Sequence, residues 1–278
     1  MPELPEVETT RRGLAPAVEA RRIVRAVVRH RGMRQPVPRG LEQKLAGATV
    51  RALGRRGKYL LFDCITADGN RGTLILHLGM SGRLWLVDAG TVAEKHDHFD
   101  LVIDNDCIIR LRDPRRFGLV LWQRGDDALV HPLLSKIGPE PLTADFDGDV
   151  LYRETRTRSA AIKLVIMDSH VVCGVGNIYA NEALFRAGID PRTPAQRLNR
   201  ARCDRLAAEI KRVLGEAIDA GGSSLRDYVG SDGMAGNFQN NFLVYGRKSE
   251  PCTRCGTMIR ELRQAQRATC YCPACQKR

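Results

Sequence analysis

The chain has 278 residues, enough for two ordinary domains each with its own core, and 44 Lys+Arg against 32 Asp+Glu leave it at +12. It has neither the run of roughly eighteen apolar residues that a membrane span needs nor a basic-then-apolar leader, so an intracellular protein is expected. A positive balance of this size suits a polyanionic partner, through release of counterions from neutralised phosphates, although a generally basic solvated surface would look the same.

In chain order, the opening MPELPEVE predicts a helix from about Pro5 to Gly13. Pro5 suits a first helical position, and Glu6 and Glu8 complement the helix dipole. Pro2 and Glu3 are left without a structural reason. Seven short stretches rich in β-branched and aromatic residues follow, at Arg22–His30, Lys58–Cys64, Gly72–Gly79, Gly82–Val87, His98–Asp104, Cys107–Asp113 and Gly118–Gln123. Strands at this spacing predict a β-sandwich or barrel. Past a proline-rich connector, Gly138–Leu142, the period becomes helical. Val175–Gly188 ends on a glycine placed as a C-terminal cap, and Ala201–Gly222 aligns Leu206, Ile210, Val213, Leu214, Ala217 and Ile218 on one face. Two helices joined by a Pro-containing turn fit a DNA-docking helix-turn-helix or a plain helical hairpin equally well. The glycine-rich stretch 221–236 reads as a mobile loop.

Of nine cysteines, Cys64, Cys107, Cys173 and Cys203 are scattered and read as small apolar residues. The tail is different: Cys252-x-x-Cys255 and Cys272-x-x-Cys275, sixteen residues apart, have the spacing of two knuckles gripping one tetrahedral Zn²⁺. Disulfides are the alternative, disfavoured in a reducing compartment. Cys270 fits a strand position better than a ligand. Gly256–Tyr271 then predicts a β-hairpin whose tip carries Arg263, Gln264, Gln266 and Arg267. Four thiolates leave no open position for water, so this zinc is scaffold.

A chemical reason for Pro2 follows from processing. Methionine is commonly removed before a small second residue, which would make Pro2 a terminal secondary amine. Such an amine titrates about two units below a lysine and is a better nucleophile at neutral pH. Its adduct with C1′ of a deoxyribose is an iminium, positive without a proton, which displaces the base and then acidifies C2′ for elimination of the 3′-phosphate. Glu3 would shuttle protons.

The stretches MPELPEVETTRRGL, RRGKYLL, HLGMSG, EKHDHFD, DPRRFG and GVGNIYANEALF, followed by the four-cysteine tail, resemble in this order the formamidopyrimidine-DNA glycosylase family, bacterial 8-oxoguanine glycosylases with lyase activity. The resemblance implies an α+β fold: an N-terminal catalytic β-sandwich (1–136), a helical domain with a helix-two-turn-helix and a lesion-capping loop (137–247), and a zinc-finger hairpin (248–278). It implies one structural Zn²⁺ on Cys252, Cys255, Cys272 and Cys275, and base-excision repair of oxidised purines in duplex DNA lying in a basic cleft between the domains.

By the same resemblance Pro2 is the Schiff-base nucleophile, Glu3 the proton donor, Lys58 the lysine that assists β-elimination and grips a phosphate, and Arg267 the arginine of δ-elimination. Met80, Arg115 and Phe117 fill the hole left by the flipped base, an apolar wedge plus a multi-donor fork. His77, His96, Arg158, Lys163 and Asn177 face phosphates. His96, Asp97, His98 and Asp100 could alternatively hold a metal, which their strand setting disfavours. The lengthened Thr66–Gly72 turn, Cys173 and Cys270 depart from the family pattern without touching a catalytic role. A monomer beside the bacterial nucleoid is expected. The rival readings are an endonuclease VIII-type glycosylase for oxidised pyrimidines, against which Leu4 and DPRRFG argue, and a non-catalytic zinc DNA-binding protein.

Overall fold

The computed structural model describes residues 2–223 and 236–278. By compactness the chain forms two units, Met1–Ser135 with Ala220–Asn237, and Lys136–Asp219 with Phe238–Arg278. The described residues at 220–223 and 236–237 group with the sheet-rich unit, and the cysteine-rich tail groups with the helices.

In the first unit α1 (Leu4–Val18) outruns the expected helix, passing Gly13 and Pro16. An interior proline costs about 3 kcal/mol. Leu14 and Val18, on either side of it, are wholly buried, each worth on the order of 2 kcal/mol, and their burial offsets that loss. After α1 come β1 (Arg21–Val28), α2 (Leu41–Leu45), β2 (Thr49–Arg56), β3 (Tyr59–Ile65), β4 (Arg71–His77), β5 (Arg83–Asp88), β6 (Asp97–Ile103), β7 (Cys107–Arg112) and β8 (Leu119–Arg124).

The strands order as β5-β7-β6-β1-β2-β3-β4-β8. β1 pairs with β2 through Arg21 and Arg22, and from Ile23 onward with β6 across a register shift. It therefore passes from one layer of a β-sandwich to the other. Phe62, Leu74 and Leu76 from one layer and Phe99, Leu101 and Leu111 from the other share a single buried core.

Neither α2 nor β2 carries a sequence signal. LEQKL is too short for a period to show, and TVRALGRR is rich in poor strand formers. β2 exists because β3 offers it a ladder from Val50 to Arg56 that buries Val50 and Leu53.

The second unit holds α3 (Gly148–Thr155), α4 (Ile162–Ile166), α5 (Asn177–Arg186), α6 (Arg200–Asp219) and a hairpin of β9 (Arg260–Gln264) and β10 (Arg267–Tyr271). Asp147 caps α3 by accepting from Val150 N at 2.8 Å. Gly188, at φ 68°, ends α5 as expected, with Ile189 N donating back to Leu184 O at 2.9 Å. The α6 face read from the sequence is the face it buries. Among the described residues no helix is long and apolar enough to cross a membrane.

One carboxylate ties α1 to the sheet. Glu8 accepts from Arg11 and Arg12 on its own helix, and from Arg55 Nε of β2 at 3.0 Å. Arg55 Nη1 in turn donates to Gly57 O at 2.8 Å, in the β2–β3 turn. Burial works against the charged carboxylate, but the guanidinium of Arg11, then those of Arg12 and Arg55, outweigh it and hold Glu8 at about 2. A folded value below the ordinary 4.5 means that the stabilisation is complete above pH 4.5 and is lost as pH falls towards 2. Glu8→Gln should therefore cost on the order of 3 kcal/mol at neutral pH. In urea melts the gap to the parent should close between pH 4.5 and 2, and a gap independent of pH would refute the ion-pair account.

Candidate functional site

The N-terminal stretch is built around Glu6. Glu3 is the N-cap residue of α1, and its N–H donates to Glu6 Oε2 at 2.8 Å. The other oxygen, Oε1, accepts from Ser223 N and Ser223 Oγ, both at 2.9 Å. Pro2, Glu3 and Glu6 are all buried. The crowded carboxylates of the opening stretch thus divide their work: Glu6 and Glu8 hold the helix, and Glu3 is held by it. The expected lesion-capping loop lies for the most part at 224–235, outside the described residues; the residue before that stretch, Ser223, is the one bonded to Glu6.

Lys58 sits in the β2–β3 turn that Glu8 and Arg55 brace, half-buried. Tyr59 beside it pairs across the sheet with His77, and the two rings lie 4.8 Å apart. Burial first, then the charges of Lys58 and Arg34, push His77 down to about 4. Its ring is therefore neutral near pH 7. Because Nδ1 accepts from Gly79 N at 2.9 Å, the ring proton belongs to Nε2, which leaves a neutral N–H donor suited to a phosphate oxygen.

Met80 and Phe117 are 43% and 44% exposed, large apolar side chains standing on loops rather than in the core. The guanidinium carbon of Arg115 lies 4.7 Å from the centre of the Phe117 ring. His96 is half-buried, with its ring 6.3 Å from that of His98.

The alternative metal site around His96 does not form. Asp100 receives Arg29 and Arg110, Asp97 receives Arg112, and His98 Nε2 meets Asp113 O at 3.0 Å. Arg110, 2% exposed, sits between the two aspartates in a buried ion-pair network that the sequence did not announce. Removing one partner of such a network costs roughly 3–5 kcal/mol.

In the second unit Arg158 is partly exposed and bonds Glu154 and Asp168. Asn177 opens α5, whose N-cap Gly176 provides no side-chain cap, and Asn177 Oδ1 is buried without a hydrogen-bond partner. A helix start of this kind suits an anion.

Lys163, expected to face a phosphate, is held inside this unit in the structure. It is 0% exposed, and its ammonium donates to Ala268 O at 2.9 Å and Thr269 Oγ1 at 2.7 Å. With its charge spent on β10, it holds the hairpin that carries Arg267. Asn181, which accepts from Cys270 N at 2.8 Å, is a second strut of that strand, and Glu182 receives Leu243 N, Val244 N and Tyr245 N at 2.9–3.0 Å. Neither had been singled out. Consecutive polar residues inside an apolar helix, Asn181 and Glu182, were the signal.

Cys252, Cys255, Cys272 and Cys275 form the one group among the described residues suited to a metal, with ligand atoms all within 4.8 Å of one another. The Cys252–Cys275 and Cys255–Cys272 sulfurs are 3.9 and 3.5 Å apart. A tetrahedron with Zn–S bonds of about 2.3 Å has edges of about 3.8 Å, so the donors fit one Zn²⁺ and are too far apart for disulfides. Cys270 stands outside the group, with Sγ 3.7 Å from Glu261 Oε2. The turn of the hairpin, Ala265–Gln266, has positive φ at both residues, and Arg267 follows it, exposed.

Three family models match: the formamidopyrimidine-DNA glycosylase N-terminal domain over 1–120, the H2TH domain of the same glycosylase over 137–229, and the zinc finger found in FPG and IleRS over 249–278. Curated relatives named formamidopyrimidine-DNA glycosylase include those of Cupriavidus pinatubonensis, 54% identical over 99% of this chain and 100% of the relative, and Stutzerimonas stutzeri, 54% identical over 100% of both. Similar solved structures include the Lactococcus lactis protein with abasic-site DNA (TM-score 0.91, 35% identity, 100% of both chains). The Thermus thermophilus protein is also similar (TM-score 0.87, 37% identity, 99% of this chain and 98% of that one). On its domains, its four-cysteine zinc site and its full-length relatives, the chain belongs to the formamidopyrimidine-DNA glycosylase family.

Proposed function

We propose that Pro2, freed of Met1, attacks C1′ of an oxidised purine nucleotide and forms the iminium through which the base leaves and the strand is cut. The chain is a bifunctional DNA glycosylase and abasic-site lyase of base-excision repair, and oxidised purines in duplex DNA are its substrates. The observation that carries the residue assignment is the anchoring of α1. Glu6 fixes its first turn, and Glu8 fixes it to β2, the strand that leads into the turn carrying Lys58, so Pro2 and Glu3 stand on a braced platform. The Lactococcus lactis relative is known in complex with Fapy-dG DNA and with abasic DNA, forms that match the starting material of the first and the second step.

The amine forms a bond to C1′ as the C1′–N9 bond breaks and the purine leaves with its electron pair. Glu3 protonates O4′ as the sugar ring opens. The iminium then draws electrons as a base removes a C2′ proton and the 3′-phosphate departs, a step that Lys58 assists. Loss of the 5′-phosphate follows with Arg267 at the phosphate. Lys58, His77, His96, Arg158, Asn177 and Arg267 contact phosphates, and Met80, Arg115 and Phe117 occupy the vacated stack. The chain is expected to work as a monomer, and bacterial relatives support work on chromosomal DNA in the cytoplasm.

Borohydride added during reaction with duplex containing 8-oxoguanine opposite cytosine should trap a covalent adduct that peptide mapping places on Pro2. No adduct, or one on a lysine, would sink the assignment, and stronger trapping on thymine glycol would favour the pyrimidine-specific rival. Glu3→Gln should slow base release by about a hundredfold or more, the scale of general-acid catalysis, while cleavage of preformed abasic DNA persists. Stripping zinc with a chelator should abolish duplex binding, and added Zn²⁺ should restore it; binding that survives full metal removal would show that the hairpin does not need its ion.

A further inference from the structure

The side chains that enter the stack stand on two separate loops, Met80 between β4 and β5, and Arg115 and Phe117 between β7 and β8. We infer that Asp113 is the positioning residue that locks these loops into a single insertion wedge; the inference rests on the reading that they fill the place of an extruded base.

Asp113 is wholly buried, and both of its carboxylate oxygens are engaged. Oδ1 accepts from Ser81 Oγ at 2.8 Å and from Arg115 N at 3.3 Å, and Oδ2 accepts from Gly118 N at 2.8 Å. One bond reaches the neighbour of Met80, and the other two bracket the Arg115–Phe117 segment. The main chain of Asp113 is itself pinned, its N–H donating to His96 O at 3.0 Å and its carbonyl meeting His98 Nε2 at 3.0 Å. The loops also meet backbone to backbone. At Gly79, φ 63°, a Cβ would lie 2.5 Å from the Phe117 carbonyl carbon, so only glycine lets them close this tightly.

If the loops moved apart, the buried carboxylate would lose Ser81 Oγ, its donor from the other loop, and the close Gly79–Phe117 backbone contact would open, which favours the joined state. The two loops therefore enter the helix together or not at all. A lesion in duplex needs that insertion. A single-stranded abasic site, with no partner strand and no stack to hold open, does not.

Asp113→Asn keeps the shape but leaves one acceptor oxygen and turns an amide N–H₂ towards a donor. Its kcat/KM on duplex 8-oxoguanine should fall about tenfold or more, and the signal of a 2-aminopurine beside the lesion should show slowed unstacking. Trapping on a single-stranded abasic oligonucleotide should stay within about twofold, a split that mere loss of folded protein cannot produce. Unchanged duplex kinetics, or equal losses on both substrates in a variant that melts like the parent, would overturn the inference. If Asp113→Asn does not fold, Ser81→Ala, which removes one bond, should give the same split in smaller measure, and equal rates on both substrates would then overturn it. If the unmodified chain traps neither substrate, the Pro2 reading falls instead, and the 2-aminopurine signal alone decides the role of Asp113.

Discussion

The nucleophile proposed for this chain is its second residue, and such a nucleophile works only if the end of the chain stands still. Termini are ordinarily the least ordered part of a protein, and here the order comes from two carboxylates about half a turn apart on a single helix. Glu6 takes the N–H of Glu3 and both donors of Ser223, and Glu8 takes three guanidinium groups, one of them from β2. The first four backbone N–H groups of a helix lack intrahelical partners, and a carboxylate at the third position is the natural acceptor for what precedes them. The same device that starts the helix therefore orients the residues before it.

Elsewhere in the sheet-rich unit the pattern recurs: a buried acid with at least one bond that reaches another loop or strand. Asp97 and Asp100 clamp Arg110 and Arg112 between β6 and β7, and Asp113, at the end of β7, gathers the loops bearing Met80 and Phe117. Such groups contribute little net stability compared with an apolar core, because desolvation consumes most of the Coulombic gain. What they contribute is geometry, since a buried charge tolerates one arrangement of donors and penalises the rest.

In the helical unit the struts point at the zinc hairpin. Lys163 and Asn181 grip β10, and Glu182 gathers three consecutive backbone N–H groups ahead of the first cysteine knuckle. Burial raises the Glu182 carboxyl, and the N–H groups of Tyr245, Val244 and Leu243 oppose the shift. A metal fixes the strands of the hairpin to one another; these side chains fix the hairpin to the helices, so Arg267 has both a rigid support and a defined position.

Much of this was legible in the residues. Cysteine spacing reports coordination geometry directly, because four thiolates around one ion tolerate few loop lengths. The strand runs and the α6 face were legible because burial imposes a period on the sequence that survives in any single chain. Pro2 and Glu3 stood out because no local rule needed them. Other features belonged to the tertiary structure alone. β2 is a strand because β3 is beside it, and α1 passes Pro16 because Val18 beyond it finds a core. Lys163 was read as a phosphate ligand and proved to be wholly buried, since a lysine in sequence looks the same whether its ammonium faces solvent or a carbonyl across 105 residues. Asp113 and Arg110 were hidden for the same reason. The sequence determines which groups are present and which local periods they obey, whereas pairing between distant residues, and with it the place where each charge is spent, is decided only when the chain has closed on itself.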